Sequence, residues 1–246
     1  MTATGARPAG AADEQGSAAA VRQMFDSIAP RYDLLNHVLS CKIDRIWWRR
    51  AARRFKTTLA RPDASVLDVC CGTGDMTLAL MHYRPRGAKP VLAADFSHAM
   101  LTRGAEKLRN HDAVVVEADA LHLPLPDNSV NLITTAFGFR NLANYETGLR
   151  EFHRVLKQDG ELGILDFGEP GGVIGKLYAF YFRRILPAIG ARISGKSSAY
   201  SYLPASVRRF PPPAEMMALM KNAGFTDVSW TPYTFGIAGL YRGVKL

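Results

Sequence analysis

Between residues 66 and 75 the chain reads VLDVCCGTGD. An apolar run stops at the carboxylate of Asp68, and Gly72 and Gly74 follow at once, which predicts a buried strand turning through a glycine-bearing loop into a helix. Glycine there removes the Cβ that would hold a ligand away, and it accepts the positive φ that tight strand-to-helix turns often need. The dinucleotide spacing GxGxxG fails, because Thr77 stands at its third position. The alternative is S-adenosylmethionine, which has no phosphate and needs one carboxylate for its ammonium group and another for its ribose. Asp68 and Asp75 flank the loop, and Asp95 closes VLAAD about twenty residues further on, where an acidic side chain can meet ribose hydroxyls. The plainer reading of Asp95 is a cap for a helix starting near Ser97.

These groups need a scaffold that brings strand ends together. Strands are expected over 66–70, 91–94, 114–117, 130–134 and 162–167, with helices after Gly74, from Ser97 and over 149–156, and a turn at 157–160. Asp119 and Ala120 follow the third strand, and AFGFRN opens from the fourth. Alternation of this kind makes a doubly wound parallel sheet with its site at the carboxyl ends of the strands. AEMMALMKNAGF reads as an amphipathic helix with a glycine stop, leading into two closing strands separated near 233–236.

The 246 residues carry a net charge of +9, and its distribution matters more than its total. Segments 21–60 and 170–214 hold +6 and +7, whereas 61–169 holds −4. Residues 1–20 are rich in Ala and Gly and read as a disordered tail. Residues 21–60 read as a helical cap, with Met24, Phe25, Ile28, Tyr32 and Leu35 on an apolar face and the polar set Tyr32, Asp33, Asn36 and His37 beside it. The domain reading is one unit over 21–246: cap, cofactor-binding core over 61–169, inserted lid over 170–213, then a closing helix and strands. Cys41, Cys70 and Cys71 suit no disulfide framework or zinc set, and no run of about 18 apolar residues is present, so a cytoplasmic protein is expected.

VLDVCCGTGD, ADFSHAM, EADALHLPLPDNSVN and RVLKQDGELGILDF fall in the order seen in class I methyltransferases, and the sequence resembles them. FDSIAPRYDLLNHVLS, AFGFRN and SYLPASVRRFPPPAEMMALMKNAGF extend the resemblance to the ubiquinone and menaquinone biosynthesis C-methyltransferase family. It implies a Rossmann-like α/β fold with a mostly parallel seven-stranded sheet and an antiparallel closing strand. It also implies S-adenosylmethionine as methyl donor and a polyprenylated quinol as substrate, demethylmenaquinol ahead of a methoxy-polyprenyl benzoquinol. The cofactor positions carry over as Thr73 in the loop, Asp95 on the ribose, and Asp119 with Ala120 at the adenine. Phe96, Ser97, Met100, Leu121 and Ala136 complete the expected cofactor set. Two positions depart from the family pattern: Cys70 replaces the first glycine of the loop, and Ala136 replaces a serine before FGFRN.

Ring methylation needs a quinol hydroxyl polarised or deprotonated beside the methyl donor. Arg140 and Asn141 are expected there, Arg140 acting through its charge, with Tyr32, Asp33 and Asn36 contributed by the cap. In the lid, Tyr178, Phe180, Tyr181, Phe182, Ile185 and Leu186 would line an isoprenoid path, and Lys176, Arg183, Arg184, Arg192 and Lys196 would approach an anionic membrane surface. A helix pair with solvated charges is the simpler account of that segment. An RNA methyltransferase and a non-catalytic scaffold subunit are the competing functions; no dedicated RNA-binding motif supports the former, and no nucleic-acid partner is expected. The sequence leaves the oligomeric state open, a homodimer included.

Overall fold

A computed structural model describes residues 5–8, 10–32, 43–172, 175 and 198–246. Seven strands form one sheet: β1 Val66–Val69, β2 Val91–Asp95, β3 Ala113–Glu117, β4 Val130–Ala136, β5 Leu156–Phe167, β6 Phe225–Tyr233 and β7 Ala238–Lys245, in the order β3-β2-β1-β4-β5-β7-β6. Pairing is parallel from β3 to β5, and β7 runs antiparallel to both β5 and β6. Every residue of β1 is buried, as expected of a central parallel strand covered on both faces. The order reverses at β1, which lies between β2 and β4, so a crevice opens beyond its carboxyl end.

The described helices are α1 Glu14–Ile28, α2 Ile43–Arg54, α3 Lys56–Leu59, α4 Asp75–Met81, α5 His98–Leu108, α6 Tyr145–Val155, α7 Ser198–Arg209 and α8 Pro213–Asn222. One face of the sheet packs Trp47, Trp48 and Phe55 of the α2 region against Leu80 and Leu132. The other packs Phe152, Met216 and Met220 against Ile133 and Ile164.

Several boundaries move. Residues 14–20 are helical rather than a disordered tail: Asp13 caps α1 by accepting from Gly16 N, and Ser17 is buried. Upstream, Ala6 N donates to Leu142 O at 2.7 Å and Arg7 Nη1 to Ala143 O at 2.8 Å, so this stretch lies on the core. Helix α6 starts at Tyr145, ahead of the expected 149, because Asn144 caps Thr147 N. The expected turn at 157–160 lies within β5, where the pairing jumps from Val130↔Leu156 to Leu132↔Glu161 and Asp159 has φ 59°. Strand β4 runs on to Ala136 and so delivers AFGFRN to the crevice.

Candidate active site

Three residues of the β1–α4 loop have left-handed backbone: Cys70 (φ 54°), Gly72 (φ 55°) and Gly74 (φ 88°). The first is the position where the family pattern has glycine, and the backbone there keeps the glycine-like conformation despite the cysteine. A non-glycine residue in that region costs about 1–2 kcal/mol. The loop is tied to β2, since Gly72 N donates to Asp95 Oδ2 at 2.8 Å and Cys71 N to Ala94 O at 3.0 Å. Asp95 Oδ1 accepts from Ser97 N at 2.9 Å, while the cap of α5 is Ser97 itself, whose Oγ accepts from Met100 N. Asp95 is thus a hub between two loops and not the N-cap. Burial pushes its carboxyl up, against the pull of those backbone amides.

A cavity of about 700 Å³, counting the part open to solvent, lies over this loop. Gly72, Asp95, Phe96, Met100, Asp119, Ala120, Leu121 and Ala136 from the expected cofactor set line it, as do Tyr32 and Asn141 from the expected catalytic set. Its wall also includes Ala18, Phe25, Cys70, Ala118, Phe137, Gly138, Leu142 and Ala143, which residue-type reasoning had not put forward as ligand contacts. Phe25 and Tyr32 meet edge to face at 6.2 Å, closing the α1 side.

The remaining described residues of the expected set do not line the cavity. Asp68 is fully buried and accepts from Thr77 Oγ1 at 2.7 Å and Thr134 Oγ1 at 2.9 Å. Burial pushes its carboxyl up to about 7 even though those hydroxyls favour the charged form. Thr73 and Asp75 are both reached by Lys107 Nζ, at 3.2 and 3.0 Å, which pins the loop to α5. Gly74 faces Leu108, where an added Cβ would come within 2.9 Å of the side chain, and Ser97 is buried at its cap. Asp33 and Asn36, with His37, lie outside the described residues, as do Cys41 and the lid residues from Lys176 to Lys196.

Arg140 departs most from the expected role. It and Asn141 lie on a 3-10 turn, Phe139–Asn141, and are both buried. Arg140 Nη1 pairs with Asp166 Oδ1 at 2.8 Å and also donates to Phe137 O, while Arg140 N donates to Asp166 Oδ2 at 3.0 Å. Its Cζ is 5.1 Å from the centre of the Phe167 ring. Burial disfavours this cation, but the Asp166 charge and hydrogen bond outweigh burial and hold it protonated. The contact the fold makes with Arg140 is therefore a buried ion pair, and Arg140 is not among the residues that line the cavity. Its Nε has no partner among the described residues.

Asn141 does line the cavity. Tyr202 of α7 donates its hydroxyl to Asn141 Oδ1 at 3.1 Å, and Asn141 Nδ2 lies 3.4 Å from Phe137 O. Burial pushes the Tyr202 phenol up, so it stays a donor at neutral pH. Sequence reasoning quoted SYLPASVRRF but did not single out Tyr202, because nothing local links residues so far apart in the chain.

The lining suits a sulfonium nucleoside. At Gly72 an added Cβ would find only Tyr32 Cε1, 3.9 Å away, so the loop backbone faces open space. Carboxylates of Asp95 and Asp119 can accept from hydroxyl or amino groups, and Phe96, Met100 and Leu121 supply apolar wall for a purine. Sheet order, loop and cavity together are those of a class I methyltransferase. A solved structure described as a possible histamine N-methyltransferase from Thermotoga maritima shares the fold, with a TM-score of 0.64 at 17% identity over 92% of this chain and 100% of that one. The profile of the ubiE/COQ5 methyltransferase family matches residues 12–245, and the chain belongs to that family. A demethylmenaquinone methyltransferase of Deinococcus radiodurans is 44% identical over the full length of both chains. A ubiquinone/menaquinone biosynthesis C-methyltransferase UbiE of Geotalea daltonii is 41% identical over 92% of this chain and 96% of its own.

Proposed function

We propose that this methyltransferase C-methylates a polyprenylated quinol, with demethylmenaquinol as its substrate. The observation that carries the reading is Asn141, its amide bonded by the Tyr202 hydroxyl, lining the same cavity as Gly72, Asp95 and Asp119. Between them the lining is apolar and aromatic, with Ala136, Phe137 and Leu142, as a flat ring requires. The names of the full-length relatives agree with it.

Asp95 and Asp119 would hold the ribose and adenine of S-adenosylmethionine, and the Gly72 backbone would face its amino-acid end. Bound there, it supplies an electrophilic methyl group. Asn141 binds a ring oxygen of the quinol, its amide oriented by the Tyr202 hydroxyl. Tyr32, which lines the same cavity, contributes an aromatic wall beside the ring. Asn141 cannot take a proton and the Tyr202 phenol is held neutral, so these groups polarise the quinol hydroxyl and leave its proton to water at the open side. Arg140 positions Asn141 through the 3-10 turn and does not touch the ring. An isoprenoid tail leaves the cavity toward a membrane surface. Among the described residues no helix is long and apolar enough to cross a membrane.

The test is label transfer from methyl-radiolabelled S-adenosylmethionine to a short-chain demethylmenaquinol under reducing conditions, with the methoxy-polyprenyl benzoquinol in parallel. Label on the naphthoquinol ring supports the reading, and label on the benzoquinol alone moves the substrate to ubiquinone precursors. Label on neither, with transfer to tRNA, refutes it.

A further inference from the structure

Helix α2 turns Trp47, Trp48, Ala51 and Ala52 into the core and leaves Ile46, Arg49, Arg50 and Arg53 exposed. From Arg45 to Ala60 the sequence has no acidic residue, so nothing local neutralises this face. Ile46 is 56% exposed, an aliphatic side chain among arginines. Beside it stands the turn between β6 and β7, Thr234–Gly236, where three successive residues have positive φ: 46°, 59° and 91°. Phe235 occupies the middle position and is 77% exposed. An aromatic residue in left-handed backbone is strained, and an exposed one gains nothing from burial, so the fold itself gives no return for Phe235. The turn is nonetheless held in place. Trp47 Nε1 donates to Thr234 Oγ1 at 2.8 Å, and the Arg50 guanidinium lies 4.5 Å from the centre of the Tyr233 ring.

This surface adjoins the active site. Ala238, at the start of β7, pairs with Phe167 at the end of β5, which puts the turn at the carboxyl end of the parallel strands. Trp47 also packs on Phe137, a cavity wall residue, with ring centres 5.8 Å apart. Exposed apolar tips ringed by arginines, presented at the mouth of a site, match the chemistry of an anionic bilayer interface.

We infer that the α2 face and the β6–β7 turn form the surface that docks on anionic lipid, with Phe235 and Ile46 entering the headgroup layer and Arg49, Arg50 and Arg53 meeting lipid phosphates. The inference rests on the quinol reading for its purpose, since a polyprenyl substrate resides in the bilayer, but its test is separate. It assigns docking to a part of the fold other than the basic lid segment over 176–197.

The experiment is flotation of the full chain with phosphatidylcholine–phosphatidylglycerol vesicles and with phosphatidylcholine vesicles, alongside methylation of a short-chain quinol free in solution. Wild type is expected to bind the anionic vesicles and to be released by salt. Phe235→Ser is expected to weaken partition about tenfold, and Arg49→Gln with Arg53→Gln about thirtyfold. Solution turnover and circular dichroism should stay unchanged in both. Vesicle binding that is equal in wild type and variants overturns the inference, as does salt-sensitive tRNA binding with no lipid binding. Methyl transfer failing on every quinol while the vesicle losses appear would sink the substrate reading and leave the docking surface standing.

Discussion

Replacing Arg140 by alanine should destabilise the protein first and slow it second. The pair it forms with Asp166 has an N···O distance of 2.8 Å, with side chains 7% and 0% exposed. Removing one partner of so buried a pair leaves an uncompensated charge and costs about 3–5 kcal/mol, whereas an exposed pair would be worth under about 1 kcal/mol. Among the described residues, Asp166 would retain its bonds from Arg140 N and Phe167 N. In a chain of this length each kcal/mol lowers the melting temperature by about 2–4 °C, so a fall of roughly 6–20 °C is expected for Arg140→Ala. Replacing both members by apolar residues, Arg140→Met with Asp166→Leu, should cost less than Arg140→Ala alone, because no lone charge is left behind. Urea and thermal unfolding followed by circular dichroism measure this, with turnover assayed below the onset of melting. A melting temperature within about a degree of wild type together with abolished turnover would refute the reasoning and put the guanidinium on the substrate.

Asp95→Ala removes the acceptor of Gly72 N and Ser97 N as well as a cavity carboxylate, and should weaken S-adenosylmethionine binding by about 2 kcal/mol, roughly thirtyfold in Kd by calorimetry. Unchanged affinity would remove Asp95 from the cofactor site. Asn141→Ala should lower kcat about tenfold to a hundredfold with little change in cofactor Kd, and Tyr202→Phe should follow in the same direction by a smaller factor, since it frees the amide without deleting it. Asp68 gives a pH dependence. Its folded-state pKa is raised to about 7, so the unfolded chain ionises first, and stability that is complete below the ordinary carboxylate range is lost as pH rises through 7. Stability of the ligand-free protein to urea should fall between about pH 4 and 7, by at most about 1.4 kcal/mol per pH unit for this group, and Asp68→Asn should flatten the slope.

The parallel strands were legible because strands buried on both faces read as apolar runs, and the loop was legible because left-handed backbone favours glycine. Cys70 shows the limit of that second rule. The backbone conformation persists at φ 54° although the residue does not announce it. The helical residues 14–20 were not legible, since an Ala- and Gly-rich stretch looks the same whether or not something covers it. What holds α1 is remote: Arg22 reaches Phe96 O and Glu117, and Asp26 accepts from Ser97. The same holds for the candidate site. Cavity-lining residues at strand ends could be named from order alone, but the Arg140–Asp166 and Tyr202–Asn141 contacts join segments 26 and 61 residues apart and carry no periodic signal.

Magnitudes divide the cavity into a fixed side and a yielding one. The quinol side hangs on the 3-10 turn, which is anchored by a buried ion pair and by the Tyr145 hydroxyl donating to Arg140 O at 3.0 Å. The cofactor side is roofed by α1, whose side-chain ties are the exposed pair Arg22–Glu117, with side chains 46% and 44% exposed, Arg22 Nε donating to Phe96 O at 2.6 Å, the part-buried Ser97–Asp26 bond at 2.5 Å, and Asn144 Nδ2 donating to Glu14 Oε1 at 2.9 Å. The exposed pair is worth under about 1 kcal/mol, against the several that hold Arg140. The two sides thus differ in how deeply their ion pairs are buried, while α1 is also held by the burial of Ser17 and Val21. The loop Gly72 amide is aimed by Asp95, because the Asp95 bonds run to the core loops and not to α1.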